Sequence, residues 1–541
     1  MKLAIGTEPR QVGVATGRQR ASDAYFRSLS LPVLYRLISL TATLLVLTQA
    51  LSAQPKKLPS AEKITDNYLK AIGGKKTVAA IRDATYEYVI EVNNQPFGTA
   101  RAQRKLPASE RWEMTFGNGQ IISATNSGSA WEVGLEGGMH TLTGPEAAVL
   151  KLRAILDSSR LVNVKKLNVL SRVVSLGDVG SEPAYIVEFS TRSGARLQYY
   201  FSVKTGLLTK VTDDVKNGRT TFEDYRPEKG ILEPHRIRVS LGSGEMKLLL
   251  KSVKYDTGLS DALFDPPGSN ENLDIITLMR EVGRNQDEVE KRVTEYSYRQ
   301  KETDREINNK GVLKKQTEKV YEVFPVANRE PVLKLVSENG VPLPSERAAK
   351  EDKRVQEELL KAEREREKEE REAARAKNGK ESKDNEDPGI SQFLRACEFV
   401  SPRREKFAGR DAIVFDFRPR PNFRPKSRSE SLIAKLVGVV WIDPVDKQVI
   451  RLEARLAEGF KIGGGLVVSL RPGAAMVMEQ TRMSQGVWLP RFAQFNLSVK
   501  IFLFGGGDFN KTIEWSDYKH FVGEVKDYRL DAPKTETEKK P

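Results

Sequence analysis

Apolar and polar positions change their period several times along the chain, and each change marks an element. From Ser60 to Ile72 the apolar residues Ile64, Tyr68, Leu69 and Ile72 recur at helical spacing, with Ser60 placed as an N-cap and Gly73-Gly74 as the stop. A short second helix through Val78 and Ile81 leads into alternation: Tyr86, Tyr88, Ile90 and Val92 on one face, Thr85, Glu87 and Glu91 on the other. Strands with turn signals come next at Arg111–Phe116, Gln120–Asn126 and Ala130–Leu135, then a helix at Pro145–Leu156 with proline in its first turn. Alternation resumes at Tyr185, Val187 and Phe189 and again at Leu197, Tyr199, Phe201 and Val203. A turn at Lys204-Thr205-Gly206 leads to Leu207–Thr212, and Phe222, Ile237–Val239 and Leu248–Tyr255 supply the last strands before Phe264-Asp265-Pro266-Pro267. Antiparallel strands with polar second faces imply a sheet solvated on one side and covered by helices on the other.

The second half repeats this scheme. A helix at Leu273–Val293 precedes strands at Glu295–Lys301, Val312–Phe324 and Pro331–Ser337. Another helix at Ile390–Phe399 precedes Asp411–Phe417, Val439–Ile442, a turn at Asp443–Lys447, and Val449–Leu456. Ala184–Phe189 parallels Ala412–Phe417, and Tyr199–Leu208 parallels Val440–Val449. Gly230-Ile231-Leu232-Glu233-Pro234 likewise parallels Gly486-Val487-Trp488-Leu489-Pro490. The parallels allow two readings: two copies of one α+β domain, or hairpins that resemble one another through their Gly and Pro turns. On the first, residues 1–53 are a leader, 54–267 and 268–524 are the two domains, and 525–541 are a disordered tail.

Two segments interrupt the second copy. Residues 345–388 are a charged helix and linker; Ser345–Lys377 carries eleven basic and eleven acidic residues, so its net charge is zero and a solvated single helix is expected. Arg418–Arg428 holds Arg418, Arg420, Arg424, Lys426 and Arg428 and no acidic residue, which suits a solvated basic loop or an anion-binding one.

Composition narrows the function. One Cys in 541 residues rules out a disulfide framework and thiolate metal sites, and His140, His235 and His520 lie far apart, so no metal is expected. Neither G-x-S-x-G, H-E-x-x-H, a P-loop nor C-x-x-C occurs, so we expect no catalytic residues, no cofactor and no enzyme. Net charge is +15. The arginines before the apolar run Leu37–Leu51 and the small residues Ser52-Ala53 form a signal-peptide pattern, with an uncleaved anchor as the alternative. A secreted, periplasmic chain makes nucleic acid a poor partner. The basic excess then suits an anionic membrane surface, glycans or an acidic envelope protein.

Large residues on strand faces define the candidate binding surface: Tyr86, Tyr88, Ile90, Tyr199, Phe201 and Phe222 in the first half, and Phe415, Phe417, Trp441 and Trp488 in the second. They suit ordinary core packing or the wall of an acyl-chain cavity. Ile501, Phe502, Leu503 and Phe504, beside Gly505–Gly507, form either a buried strand or an exposed tip that touches a membrane or partner.

The helix ending in Ala71-Ile72-Gly73-Gly74, the turn-linked strands at Tyr199–Thr212, the G-x-x-x-P element at Gly230–Pro234 and the closing Phe264–Pro267 together resemble the LolA/LolB-like periplasmic lipoprotein-carrier superfamily. Residues 55–267 carry the resemblance best. It implies two tandem α+β domains, each an incomplete antiparallel barrel covered by helices, whose apolar cavities accept acyl chains or lipoproteins. A tandem arrangement also resembles the periplasmic regulator of envelope-stress signalling, which implies the alternative of a partner-binding scaffold or sensor with closed cavities. The chain departs from the single-domain carrier by its duplication, its charged helix and its high pI.

Overall fold

The alternating segments assemble into two large antiparallel sheets. The structure is a computed structural model that describes residues 58–520 apart from 242–243, 269–272, 309, 327–329, 376–387, 463–467 and 502–504. The leader, the tail, most of the linker after the charged helix and three residues of the apolar tip thus lie outside the described residues. From Pro59 onward both sheets belong to one compact unit.

Helix α1 (Ala61–Ala71) begins as expected, the Ser60 hydroxyl accepting from the Lys63 N–H at 3.2 Å. Its end is fixed by the two glycine motifs acting together. Gly73 has φ +133, and a Cβ there would meet the Gly230 carbonyl oxygen at 2.4 Å. One residue away the Leu232 N–H donates to the Ile72 carbonyl at 2.8 Å, so the helix end is stitched to a strand start. Gly73→Ala is therefore expected to cost about 2–3 kcal/mol, through backbone strain and a forced shift. Urea unfolding measures it; a loss within about 0.5 kcal/mol would show that this contact gives way freely.

After α2 (Lys75–Ala80), the first sheet takes its strands in chain order. These are β1 (Asp83–Val92), β2 (Gln95–Lys105), β3 (Ser109–Phe116), β4 (Gly119–Thr125), β5 (Ala130–Val133) and β6 (Met139–Thr141). Helix α3 (Gly144–Ser158) intervenes, before β7 (Leu170–Val179), β8 (Glu182–Ser190), β9 (Arg196–Ser202) and β10 (Leu208–Asp213). β11 (Gly218–Glu228), β12 (Ile231–Leu241) and β13 (Gly244–Tyr255) complete it. The second half opens with α4 (Ile275–Val293), β14 (Tyr296–Ile307), β15 (Leu313–Phe324), β16 (Val332–Glu338) and β17 (Val341–Pro342). Then come α5 (Ser345–Arg375), α6 (Pro388–Ala396), β18 (Cys397–Phe407), β19 (Arg410–Pro419) and α7 (Arg428–Ile433). β20 (Leu436–Ile442), β21 (Val449–Leu456), the short pair β22 (Phe460–Ile462) and β23 (Val468–Leu470), β24 (Ala475–Arg482), β25 (Trp488–Ile501) and β26 (Gly505–His520) end the described chain.

Strand order in the first sheet is β6-β5-β4-β3-β2-β1-β13-β12-β11-β10-β9-β8-β7. In the second it is β17-β16-β15-β14-β26-β25-β24-β21-β20-β19-β18, with β22–β23 as a side branch on β25. The strand holding Ala184–Phe189 (β8) and the one holding Ala412–Phe417 (β19) are each second from the end of their order. Neither order returns to its start, so neither sheet closes into a barrel among the described residues.

Helices cover one face of each sheet. In the first, Ile64 of α1 and Val149, Leu152 and Leu156 of α3 bury against Val187, Phe189, Tyr199 and Phe201. In the second, Leu278, Met279 and Val282 of α4 bury against Ile413, Phe415, Val440 and Ile442. Three expectations change. The helix expected at Ile390–Phe399 stops at Ala396, because Cys397 already pairs with Pro419 in β18. Strand β18 itself escaped the alternation pattern, since its register slips between Val400 and Arg403 and Ser401 takes φ +53. Helix α5 is not wholly solvated: Val355 and Leu359 bury against Phe324 and Val332, and Asp352 pairs with Lys334 at 2.8 Å.

Candidate functional site: a cavity between the two sheets

Helix α3 is amphipathic in an unusual sense, because both of its sides are covered. Leu152 and Leu156 fill the first sheet's core, while Ala147, Ala148 and Ile155 reach a cavity of about 1030 Å³. The opposite wall is the second sheet. The registers of β21, β24 and β25 set its side chains in cross-strand rows: Arg455–Ala475–Asn496, Glu453–Val477–Gln494 and Arg451–Glu479–Phe492. Loops at Asn126–Gly128, Leu167–Asn168 and Thr191–Ala195 close the sides. A polar strand face expected to be solvated is instead the floor of a chamber roofed by an apolar helix.

Charge on that floor is unevenly matched. Arg451 pairs with Glu453 at 2.7 Å and also with Glu479, which Arg491 engages too. Lys151, reaching across from α3, lies 3.5 Å from Glu453 and donates to the Gly128 carbonyl at 2.9 Å. Burial pushes the Glu453 carboxyl up, but Lys151 and Arg451 outweigh it and hold the group below the usual carboxylate range. Arg455 is different. Its guanidinium donates to the Ser127 carbonyl, and among the described residues no carboxylate pairs with it. Burial depresses it from the ordinary arginine value, without removing its charge.

The two halves are joined beside this cavity by a buried polar network. Arg403, 2% exposed, pairs with Glu405 at 2.7 Å and Asp416 at 3.0 Å. Thr141, on the edge strand β6, donates its N–H and hydroxyl to Glu405 at 2.9 and 2.6 Å, which satisfies an edge that would otherwise face water. The Ser129 hydroxyl and the Asn126 amide donate to Asp416, at 2.5 and 3.2 Å. Asp265, from the motif closing the first half, accepts from Asn126 at 2.9 Å and from Arg418 at 3.0 Å.

The residues singled out by sequence are dispersed through the cores. Tyr86, Tyr88 and Ile90 share one core cluster, Tyr199 and Phe201 another, and Phe222 packs against both. Phe415, Phe417 and the pair Trp441 and Trp488 lie in three separate clusters of the second half. None of these ten lines the large cavity; Phe201 alone borders a smaller groove of about 330 Å³ beside α1. In the basic segment, Arg418 pairs with Glu398 and Asp265, and Arg420 donates to the carbonyls of Leu394, Arg395 and Cys397. Arg424, Lys426 and Arg428 are exposed. Ile501 ends β25, and Phe502, Leu503 and Phe504 lie outside the described residues. Gly505–Gly507 open β26 and pair with the end of β25. Burial pushes the Cys397 thiol up to about 12, so it stays protonated and unreactive. Among the described residues no helix is long and apolar enough to cross a membrane.

The cavity residues were missed because their signal is bland. Arg451, Glu453 and Arg455 alternate with apolar neighbours as any solvated strand face does, and only the long-range placement of α3 buries them.

No family model matches the chain, and no curated protein matches it. Among solved structures it is similar to the LolA superfamily protein NE2245 from Nitrosomonas europaea, at 14% identity over 39% of this chain and 99% of that one, with a TM-score of 0.27. A putative outer membrane lipoprotein-sorting protein domain from Vibrio parahaemolyticus gives 9% identity, 38% and 95% coverage and a TM-score of 0.26. The Pseudomonas aeruginosa MucA/MucB complex gives 8% identity, a TM-score of 0.17, and coverage of 83% of this chain and 93% of that one. All these scores are low, and the function is read from the cavity itself.

Proposed function

We propose that this chain is a non-catalytic, periplasmic binding protein for an amphiphile, such as a lipid or a lipoprotein's acylated end, built from two copies of one LolA-like domain. The matching positions of β8 and β19 in their sheets support the duplication. One observation carries the binding reading: a cavity of about 1030 Å³ with an apolar wall from α3 and a charged, hydrogen-bonding floor from β21, β24 and β25. Such a chamber suits a molecule with one greasy and one polar end, and its size is that of a small-molecule site. Catalysis is not part of the proposal, because the carboxylates on the floor are tied up in ion pairs.

A second reading, a partner-binding scaffold, has its own support. Within each half the aromatic strand faces are packed shut, with Ile90, Phe201 and Phe415 fully buried. Organic extraction of protein purified from its native envelope separates the two. The amphiphile reading expects stoichiometric acyl species by mass spectrometry; extracts free of them, with a protein partner retained instead, would favour the scaffold.

A further inference from the structure

The row Arg455–Ala475–Asn496 is built differently from its neighbours. Adjacent strands lie about 4.8 Å apart, so Arg455 and Asn496 stand roughly 10 Å from each other with only the Ala475 methyl between them. That leaves a notch in the cavity floor. On one side of it is the guanidinium that lacks a carboxylate partner. On the other, Asn496 and Ser498 are 6% and 2% exposed, line the cavity, and carry an Oδ1 and an Oγ with no hydrogen-bond partner among the described residues. Buried polar atoms without partners are costly, and a ligand that completes them gains in affinity what the empty site forgoes. The rows on Glu453 and Glu479, by contrast, are already neutralised.

We infer that this notch is a headgroup subsite for an anionic amphiphile: a phosphate on Arg455, and two hydroxyls close to it on the headgroup, one donating to the Asn496 Oδ1 and one to the Ser498 Oγ. The inference rests on the amphiphile reading, and adds to it a charge and a hydroxyl requirement. The apolar wall of α3 then takes the chains, with Ala148 and Ile155 facing them across the cavity. A zwitterionic headgroup of the phosphocholine type brings a bulky cation and no donor, and fits this notch poorly.

The test uses the full chain with detergent-dispersed phosphatidylglycerol, phosphatidylcholine and water-soluble glycerol phosphate, titrated calorimetrically. Phosphatidylglycerol should bind about tenfold or more tightly than phosphatidylcholine, the worth of the hydrogen bonds its glycerol hydroxyls add to the phosphate contact that both lipids share. Arg455→Gln, which loses the phosphate contact, should weaken both lipids about tenfold. The double variant Asn496→Leu/Ser498→Ala should remove the preference between them, and Ala475→Leu, which fills the notch, should weaken phosphatidylglycerol while leaving thermal unfolding intact. Equal binding of both lipids by the parent, an unchanged preference in Asn496→Leu/Ser498→Ala, or unchanged phosphatidylglycerol binding in Arg455→Gln would overturn the subsite and spare the amphiphile reading. Binding of neither lipid would overturn both. Glycerol phosphate binding as tightly as the lipid would show that the subsite serves a soluble phosphorylated polyol, and would overturn the lipid assignment.

Discussion

Replacing Arg403 with Met is expected to lower the stability of the protein by about 3–5 kcal/mol and to loosen one half from the other. The guanidinium is enclosed between Glu405 and Asp416, and it also donates to the Thr141 hydroxyl at 2.7 Å and the Ser401 carbonyl at 3.0 Å. Methionine replaces its aliphatic stem and none of its charge, so two buried carboxylates lose their cation at once. Those carboxylates are also what Thr141, Ser129 and Asn126 of the first half hold, which makes the damage fall on the junction. Urea unfolding should therefore shift to a lower midpoint and separate into two transitions. Lys406→Met is the control, because Lys406 is exposed and its partner Asp411 stands 4.0 Å away, so a change within about 0.5 kcal/mol is expected. Adding Glu405→Gln and Asp416→Asn to Arg403→Met should recover part of the loss, as coupled residues do. An Arg403→Met variant that unfolds like Lys406→Met would show that this network contributes nothing to joining the halves.

The sequence announced what depends on neighbours in the chain and hid what depends on distant ones. Strand alternation at Tyr86–Ile90 and at Tyr185–Phe189 was readable because each apolar face is buried by its own half. The stop at Gly73-Gly74 was readable as well, although the reason for two glycines appears only when Gly230, far along the chain, is seen against Gly73. The parallel between β8 and β19 was visible as a shared alternation and proved to join strands at the same place in their sheets. The cavity was not visible. Arg455 and Lys151 read as ordinary surface charges until the second sheet is laid over α3, and no local pattern encodes that meeting. The junction is hidden for the same reason: Asn126 and Asp416 are 290 residues apart. Apolar aromatics drew attention as cavity walls, yet their size is what fills the cores. The open space instead lies where small residues such as Ala147, Ala148 and Ala475 face charged ones.

Glu233→Gln should cost about 3–5 kcal/mol near neutral pH, and that cost should shrink as the solution is acidified. Glu233 belongs to the Gly230–Pro234 element, whose counterpart in the second half has Leu489 in its place, so the network around it belongs to the first half alone. Its Oε1 accepts from Arg160 at 2.8 Å, from the Tyr255 hydroxyl at 2.7 Å and from the Tyr86 hydroxyl at 3.1 Å. Burial by itself raises a carboxyl, but the Arg160 charge and hydrogen bond and the Tyr255 hydroxyl more than offset it and hold Glu233 below the ordinary glutamate range. Burial pushes Tyr86 and Tyr255 upward, so both phenols remain neutral donors. A carboxylate whose folded value is depressed stabilises the fold fully above its unfolded value, about 4.3. The contribution is lost progressively as pH falls through the folded value, because the folded protein must then take up a proton that the unfolded chain already holds. Glutamine keeps the shape and removes the charge, leaving the Arg160 guanidinium, 11% exposed, without its partner. Parent and variant stabilities, measured by urea unfolding from pH 7 down to pH 3, should therefore converge from above, the parent falling faster. A gap of constant size over that range would mean that Glu233 is held by shape alone, and that Arg160 finds another anion when it is gone.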